Sequence, residues 1–441
     1  MRGAVRLATL LAFIALIPST STAPVDPVTA LAPVEVWADG FGDLGGVAVD
    51  TEGAVYVADR LAGTVVRIAP DRSRTIVATG LDQPTGLAVD ASGRLVIAEE
   101  GANRVVRLEG DGTHTTMIAN VERPRWLVVR PDGTLYVSAR APVTDGTRPD
   151  DERAHSEIVL RRTVSGEIAV LQEGLVDLQG RRAIGLAVDS RDAVFVTTTE
   201  GTVVKIRPAG SRARFAAGLA DPQGLAFDGD GNLFLGDGSA GRVLKFHAPK
   251  PPVFGPIPPY TNVSPLRVAL TAEPGATVVV EGAGTVAGTA DARGSVGLAV
   301  PLTENAPTTL DAWVIGRDGD GLASRAVEAA VIHDNVAPTL DWSSPVSGAA
   351  AGVSVAIRLR ANDAVSGVAT ITVTVDGRPL NVTSTPSLPA RSVTATAAWD
   401  GAQVTGGAHT VKVTASDRAG NTASHSHSLV IGTGSSPGQP A

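Results

Sequence analysis

Five carboxylates, Asp59, Glu99, Glu100, Glu200 and Asp237, stand at or just past the ends of short stretches in which apolar and polar residues alternate. Brought to one point, such oxygens hold Ca²⁺ or Mg²⁺, and Asp59, Glu99 and Asp237 are the candidate metal ligands. A second group is cationic and aromatic. Arg123, Arg125 and Trp126 adjoin, Arg181 and Arg182 lie further on, and His155 falls between them. Guanidinium groups grip carboxylates bidentately and an indole offers a flat apolar face, so this set suits an anionic or sugar-like ligand. Asp145, Asp150, Asp151, Glu152 and His155 would form its lid. A third group, Asp334, Asn335, Asp363, Asp417 and Asn421, lies in turn-like phrases such as "DRAGN" and offers oxygens for a Ca²⁺ that would stiffen a junction. Each group also has a plain structural reading. Asp ahead of Gly makes turns, a Trp fills space, and arginines neutralise neighbouring acids.

Whether these residues meet depends on the strands that carry them. "GVAVDTEGAVYVAD" (46–59) is two period-two runs around a tight turn, the pattern of an antiparallel hairpin. The same phrase returns as "GLAVDASGRLVIAE" (86–99), "WLVVRPDGTLYVSA" (126–139), "GLAVDSRDAVFVTT" (185–198) and "GLAFDGDGNLFLGD" (224–237). A third strand follows each copy ("TVVRI", "RVVRL", "EIVLRR", "TVVKI", "RVLKF") and a weaker fourth follows all but the last. Four strands in about 40 residues make a propeller blade. "VEVWA" (34–38), ahead of the first copy, is expected to supply the missing strand of the last blade and close the ring, which removes a free edge. The ring would hold five blades, or six with a degenerate one. Copy three departs most from its siblings: Trp126 replaces the Gly that opens the inner strand, Arg130 replaces the turn Asp, and 141–157 lengthens the loop between strands two and three. In a propeller that loop shares a face with the loops that precede each inner strand, so the basic and aromatic group is expected on one face near the axis.

The phrase P-x-G-[IL]-A-V-D-x-x-G-x-[LV]-[YF]-V, repeated through residues 31–250, resembles the NHL-repeat propellers and, more distantly, the gluconolactonase-like and virginiamycin B lyase families. The resemblance implies the fold and a choice between binding module and enzyme. Gluconolactonase-like enzymes imply a metal-binding Asp in a P-D-G step, whereas this chain has Pro84-Thr85-Gly86, Pro124-Arg125-Trp126 and Pro222-Gln223-Gly224. The lyases imply histidines near the axis, and the repeats carry His114, His155 and His247, the last at the linker. The reading therefore leans away from catalysis and towards recognition of an extracellular protein, peptide or glycan. A metal-dependent lyase or lactonase, and a structural or adhesive surface protein, are the alternatives.

"HAPKPPVFGPIPP" (247–259) reads as an extended spacer of up to about 40 Å at 3.1 Å per residue. Beyond it, "LDAWVIGRDGDGLASRAVEAAVI" (310–332) aligns without gaps on "HTVKVTASDRAGNTASHSHSLVI" (409–431), so two related modules follow. Their short alternating strands and Gly, Asp and Pro turns suit sandwiches, and their phrases resemble bacterial immunoglobulin-like modules. The expected organisation is all-β: signal peptide 1–30, propeller 31–247, Pro-rich linker 248–259, immunoglobulin-like domains 260–334 and 335–432, and a tail 433–441. A basic, apolar, then small-residue start implies export to the cell envelope or exterior. With no cysteine, there is no disulfide framework. A formal charge of −8 gives no field for nucleic acid, and no stretch after the leader is apolar and long enough to span a membrane. The mature chain is read as a monomer. His425 and His427 alternate with Ser along one strand face and read as surface residues.

Overall fold

The alternating runs build sheets and nothing else: the chain is all-β, with no α-helix among the described residues. The computed structural model describes residues 28–130, 132–140, 157–173, 183–316, 319–344, 351–400 and 403–432. The expected leader, apart from its last three residues, and the tail beyond 432 lie outside them. Thr29–Ala30 belong to the fold, because they pair with Arg212–Ala217 and add an edge strand to the fourth repeat's sheet. The expected boundary at residue 30 therefore falls inside the folded part.

Each repeat forms one antiparallel four-stranded sheet, and the described residues hold five such sheets. The inner strands are Leu44–Val49, Pro84–Val89, Trp126–Val129, Ala183–Val188 and Pro222–Phe227. Val34–Ala38 pairs with Arg242–Phe246, so the N-terminal strand completes the fifth repeat's sheet, as the sequence pattern required. The inner strands stand side by side in chain order, and that of the fifth repeat returns to that of the first, where a Cβ on Gly224 would lie 2.7 Å from Gly46 Cα. The arrangement is propeller-like. Its first hairpins are held alike: Asp50, Asp90, Asp189 and Asp228 each accept two backbone N–H groups of their own turn, at 2.8–3.0 Å. The turn reading of these four aspartates needs nothing further.

Apolar layers lie between neighbouring sheets. Val55, Val57, Ile68 and Phe234 join the fifth repeat to the first, Leu87, Leu95 and Ile97 join the first to the second, Leu127, Leu135 and Val137 join the second to the third, and Phe195, Phe215, Leu235 and Phe246 join the fourth to the fifth.

The Pro-rich segment 248–259 is not a free spacer. Val253–Phe254 pairs with Leu266–Thr271, Tyr260–Thr261 pairs in parallel with Val327–His333, and Phe254 and Ile257 pack on the core of the module that follows. The apolar residues set between the prolines drive this, and Pro is compatible with short edge strands. That module stacks a three-stranded sheet on a five-stranded one, and the next stacks four strands on four. Both cores alternate buried and exposed positions, as in Leu266–Thr271 and Val355–Asn362. A turn of the first module docks on the repeats. Leu322 is buried among Phe195, Phe246 and Leu233, Lys205 Nζ donates to Gly321 O at 2.7 Å, Arg207 pairs with Asp320, and the Arg191 guanidinium lies 3.6 Å above the Trp313 ring.

Candidate functional site

A cavity of about 600 Å³ runs along the axis between the inner strands. Its walls are Val47, Val49, Leu87, Ala88, Leu127, Val129, Leu186 and Phe227, and one end is polar, with Arg60, Glu100, Arg125, Thr199, Asp221 and Gln223. The geometry follows from one sequence position. Where four copies carry Gly, neighbouring backbones touch: a Cβ on Gly46 would lie 2.4 Å from Thr85 O, on Gly86 2.3 Å from Arg125 O, and on Gly185 2.3 Å from Gln223 O. In copy three the residue is Trp126, and no such approach is possible. Its indole Nε1 instead donates to Leu186 O of the fourth repeat at 3.0 Å, so a side chain bridges the joint that backbone contact closes elsewhere. Trp126 is half-buried and lines the cavity.

The polar end is organised by Glu100, which is buried. Its Oε1 accepts from Arg123 Nε at 2.8 Å and Arg125 Nη2 at 3.2 Å, and its Oε2 accepts from Arg60 Nη2 at 3.3 Å. Burial pushes the carboxyl up, but Arg125, Arg123 and Arg60 outweigh it and hold Glu100 below its ordinary value. Arg60 also lies 3.6 Å from Asp43. Three guanidiniums on one buried carboxylate leave N–H donors for a ligand, since Arg125 and Arg60 remain partly exposed. Across the ring Asp221 and Gln223 line the same end, and Asp221 makes no ion pair among the described residues. The sequence grouping of Arg123, Arg125 and Trp126 is thus one neighbourhood, although the acid its arginines meet is Glu100. Arg181, Arg182, His155 and the acidic stretch 145–152 lie outside the described residues.

Asp59, Glu99 and Asp237 do not converge. Each is buried and serves its own repeat. Asp59 accepts from Gly42 N and Ala62 N, both at 3.0 Å. Glu99 accepts from Asp82 N at 3.0 Å and Arg104 Nε at 2.5 Å. Asp237 accepts from Asp221 N at 2.8 Å and Arg242 Nε at 3.0 Å. The same clamp, from the end of the second strand to the loop ahead of the inner strand, recurs in three copies. Its signal was legible: the acid follows its amide partner by 17, 17 and 16 residues. Such regularity marks a repeated joint, not a site. Glu200 is exposed.

Among the described residues the acids that do gather are Asp334, Asp363 and Asp417, with one oxygen of each within 4.8 Å of the others. They are 0, 4 and 3% exposed and have no ion-pair partner among the described residues. Two carboxylates at 4.8 Å repel by about 3.5 kcal/mol at an effective dielectric near 20. Burial, with the charges of Asp334 and Asp417, pushes the Asp363 carboxyl up. Asn421 completes the group, its Nδ2 donating to Asp417 Oδ2 and Asp334 O at 2.7 Å each. Asn335 turns away, its N–H donating to Asn305 Oδ1 at 2.9 Å. His427 stacks on Trp342 with ring centroids 5.1 Å apart.

Residues 338–413 match the family model of a bacterial Ig domain. No curated protein sequence matches the chain. Among solved structures, virginiamycin B lyase from Staphylococcus aureus is similar at 14% identity and a TM-score of 0.34, over 50% of this chain and 99% of that one. A calcium-binding protein, regucalcin, from Agrobacterium tumefaciens is similar at 13% identity and 0.40, over 49% and 93%. A gluconolactonase from Xanthomonas campestris is similar at 17% identity and 0.33, over 68% and 89%. At such scores the fold and the site rest on this chain's own sheets and side chains.

Proposed function

We propose that the chain is a recognition protein of the cell envelope or exterior, in which a five-bladed NHL-like propeller takes a carboxylate- or hydroxyl-bearing glycan or peptide and two immunoglobulin-like sandwiches carry it. The observation that carries this reading is the axial cavity, with its apolar walls, the half-buried Trp126 at the widened joint and guanidinium donors facing Asp221 and Gln223 across one end. A ligand there finds an aromatic edge, donors on one side and acceptors on the other, which suits a molecule with both hydroxyls and a carboxylate. Glu100 is held ionised by arginines, so it serves to position the donors and not as a proton carrier.

The test is calorimetric titration of the full chain with uronate-containing oligosaccharides, their neutral counterparts and acidic peptides. Trp126→Ala and Arg125→Ala are each expected to weaken binding about tenfold, the equivalent of 1.4 kcal/mol. Affinities equal to wild type in both variants would remove the cavity from the reading. Turnover of a lactone or of the glycan during the titration would favour the lyase or lactonase alternative.

A further inference from the structure

The three gathered aspartates belong to different modules. Asp334 follows Val327–His333, the last strand of the first sandwich, whereas Asp363 follows Val355–Asn362 and Asp417 ends Gly407–Asp417 of the second. Their hydrogen bonds are all to neutral donors. Asp334 accepts from Val336 N and Ser366 N at 3.0 Å each, Asp363 from Gly367 N at 2.5 Å, and Asp417 from Asn421 N at 2.9 Å and Asn421 Nδ2 at 2.7 Å. The nearest arginine in sequence, Arg418, lies over the Tyr260 ring at 4.2 Å, and His333 accepts from Asn305 N at 3.3 Å through Nδ1. Three buried carboxylates with no positive group beside them among the described residues are unfavourable as they stand.

A second observation points to what completes them. Ser366 is 5% exposed, its amide is already bonded to Asp334 Oδ2, and its hydroxyl is buried with no hydrogen-bond partner. An orphaned hydroxyl oxygen on the residue whose amide holds Asp334, together with three gathered carboxylates, offers a hard, all-oxygen donor set.

We propose that Asp334, Asp363, Asp417 and the Ser366 hydroxyl bind Ca²⁺, and that the ion clamps the two sandwiches at a fixed angle. Ca²⁺ fits better than Mg²⁺, because the donors come from three separate loops and are buried, while Mg²⁺ demands strict octahedral geometry and sheds water reluctantly. The Asn262 Nδ2 to Asn421 Oδ1 hydrogen bond, 3.2 Å, spans the same junction.

The experiment titrates Ca²⁺ alone, then Mg²⁺ alone, into the EDTA-stripped full chain, following heat and the melting of the sandwich portion. One Ca²⁺ site is expected, with melting raised by several degrees. Asp363→Asn keeps the shape and removes one charge. In EDTA it should melt at or above wild type, because repulsion is relieved, and in Ca²⁺ below it, with affinity reduced at least tenfold. Ser366→Ala should weaken Ca²⁺ several-fold and leave melting in EDTA unchanged. Absence of heat with wild type, or equal Ca²⁺ affinity in Asp363→Asn, would overturn the site. Mg²⁺ binding as tight as Ca²⁺ would overturn the choice of ion, and unchanged affinity in Ser366→Ala would overturn the hydroxyl's place among the ligands.

Discussion

The repeats and the sandwich junction both bury carboxylates, and they treat them in opposite ways. Among the described residues of the repeats, three of the four buried acids meet a cation, Glu99 and Asp237 an arginine five residues on and Glu100 three guanidiniums, while the fourth, Asp59, stands alone and accepts from two amides. At the junction Asp334, Asp363 and Asp417 meet without a cation among the described residues. Burial alone therefore says little about what an acid does. The informative quantity is the charge left over once its partners are counted, at most one isolated carboxylate in the repeats and three gathered ones at the junction.

The largest expected effect breaks a compensated acid. Asp237 is fully buried, so Asp237→Ala strands the Arg242 guanidinium and the Asp221 amide together and should destabilise the propeller-like half by about 3–5 kcal/mol. Scanning calorimetry of the full chain checks it: the transition of the repeats should fall and that of the sandwiches should stay. Loss below about 1 kcal/mol would mean that these clamps are not what holds the loops.

A smaller effect tests the closeness of the inner strands. Gly86→Ala puts a methyl 2.3 Å from Arg125 O, where only backbone can move, and should cost about 2–3 kcal/mol. In the sandwich Gly297 has nothing within 4 Å, and Gly297→Ala should be neutral or stabilising by about 0.5 kcal/mol. Urea denaturation of both variants compares a ring whose backbones touch with a sheet whose outer face is open. Equal effects would remove the argument that Trp126, at the matching position of copy three, widens its joint.

Much of this was legible before any coordinates. The five copies carried the hairpins, the Asp turns and the closing strand, because period two and turn chemistry are local signals. The partners of Asp59, Glu99 and Asp237 were not read, although their constant offset in each copy was there to be seen. Glu100 was grouped with a ring of acids because sequence gives no direction to a side chain, and only the fold turns Arg60, Arg123 and Arg125 onto it. The docking of Leu322 left one trace, an apolar residue inside the Gly- and Asp-rich turn "GDGL". The sequence allows Asp334, Asp363 and Asp417 to gather at the junction but favours plain turns for them, because D-x-x-G-N is turn chemistry by itself, whereas the Ser366 hydroxyl has no sequence signal at all.

The smallest effects are set by pH and carry opposite signs in the two halves. Glu100 is held below its ordinary value of 4.5, since its arginines outweigh its burial, so its contribution is present above that value and is lost as pH falls through the lower folded value. The repeats should weaken in acid, and Glu100→Gln should flatten that decline. In the second sandwich His409 Nδ1 lies 2.7 Å from Asp376 Oδ2 and Nε2 lies 3.0 Å from Thr405 O. Only the imidazolium donates to both acceptors, and the bond to Asp376 raises His409 above its ordinary 6.5. A raised value gives stability that is whole below 6.5 and fades as pH climbs through the folded value. Asp376 is half exposed, so solvent screening keeps the pair to a few tenths of a kcal/mol. Melting at pH 6 and pH 8 should therefore lower the sandwich transition by about a degree or less, and His409→Gln should abolish the difference. A sandwich transition that rises towards pH 8 would reverse the sign and show that the neutral imidazole is the form the fold prefers.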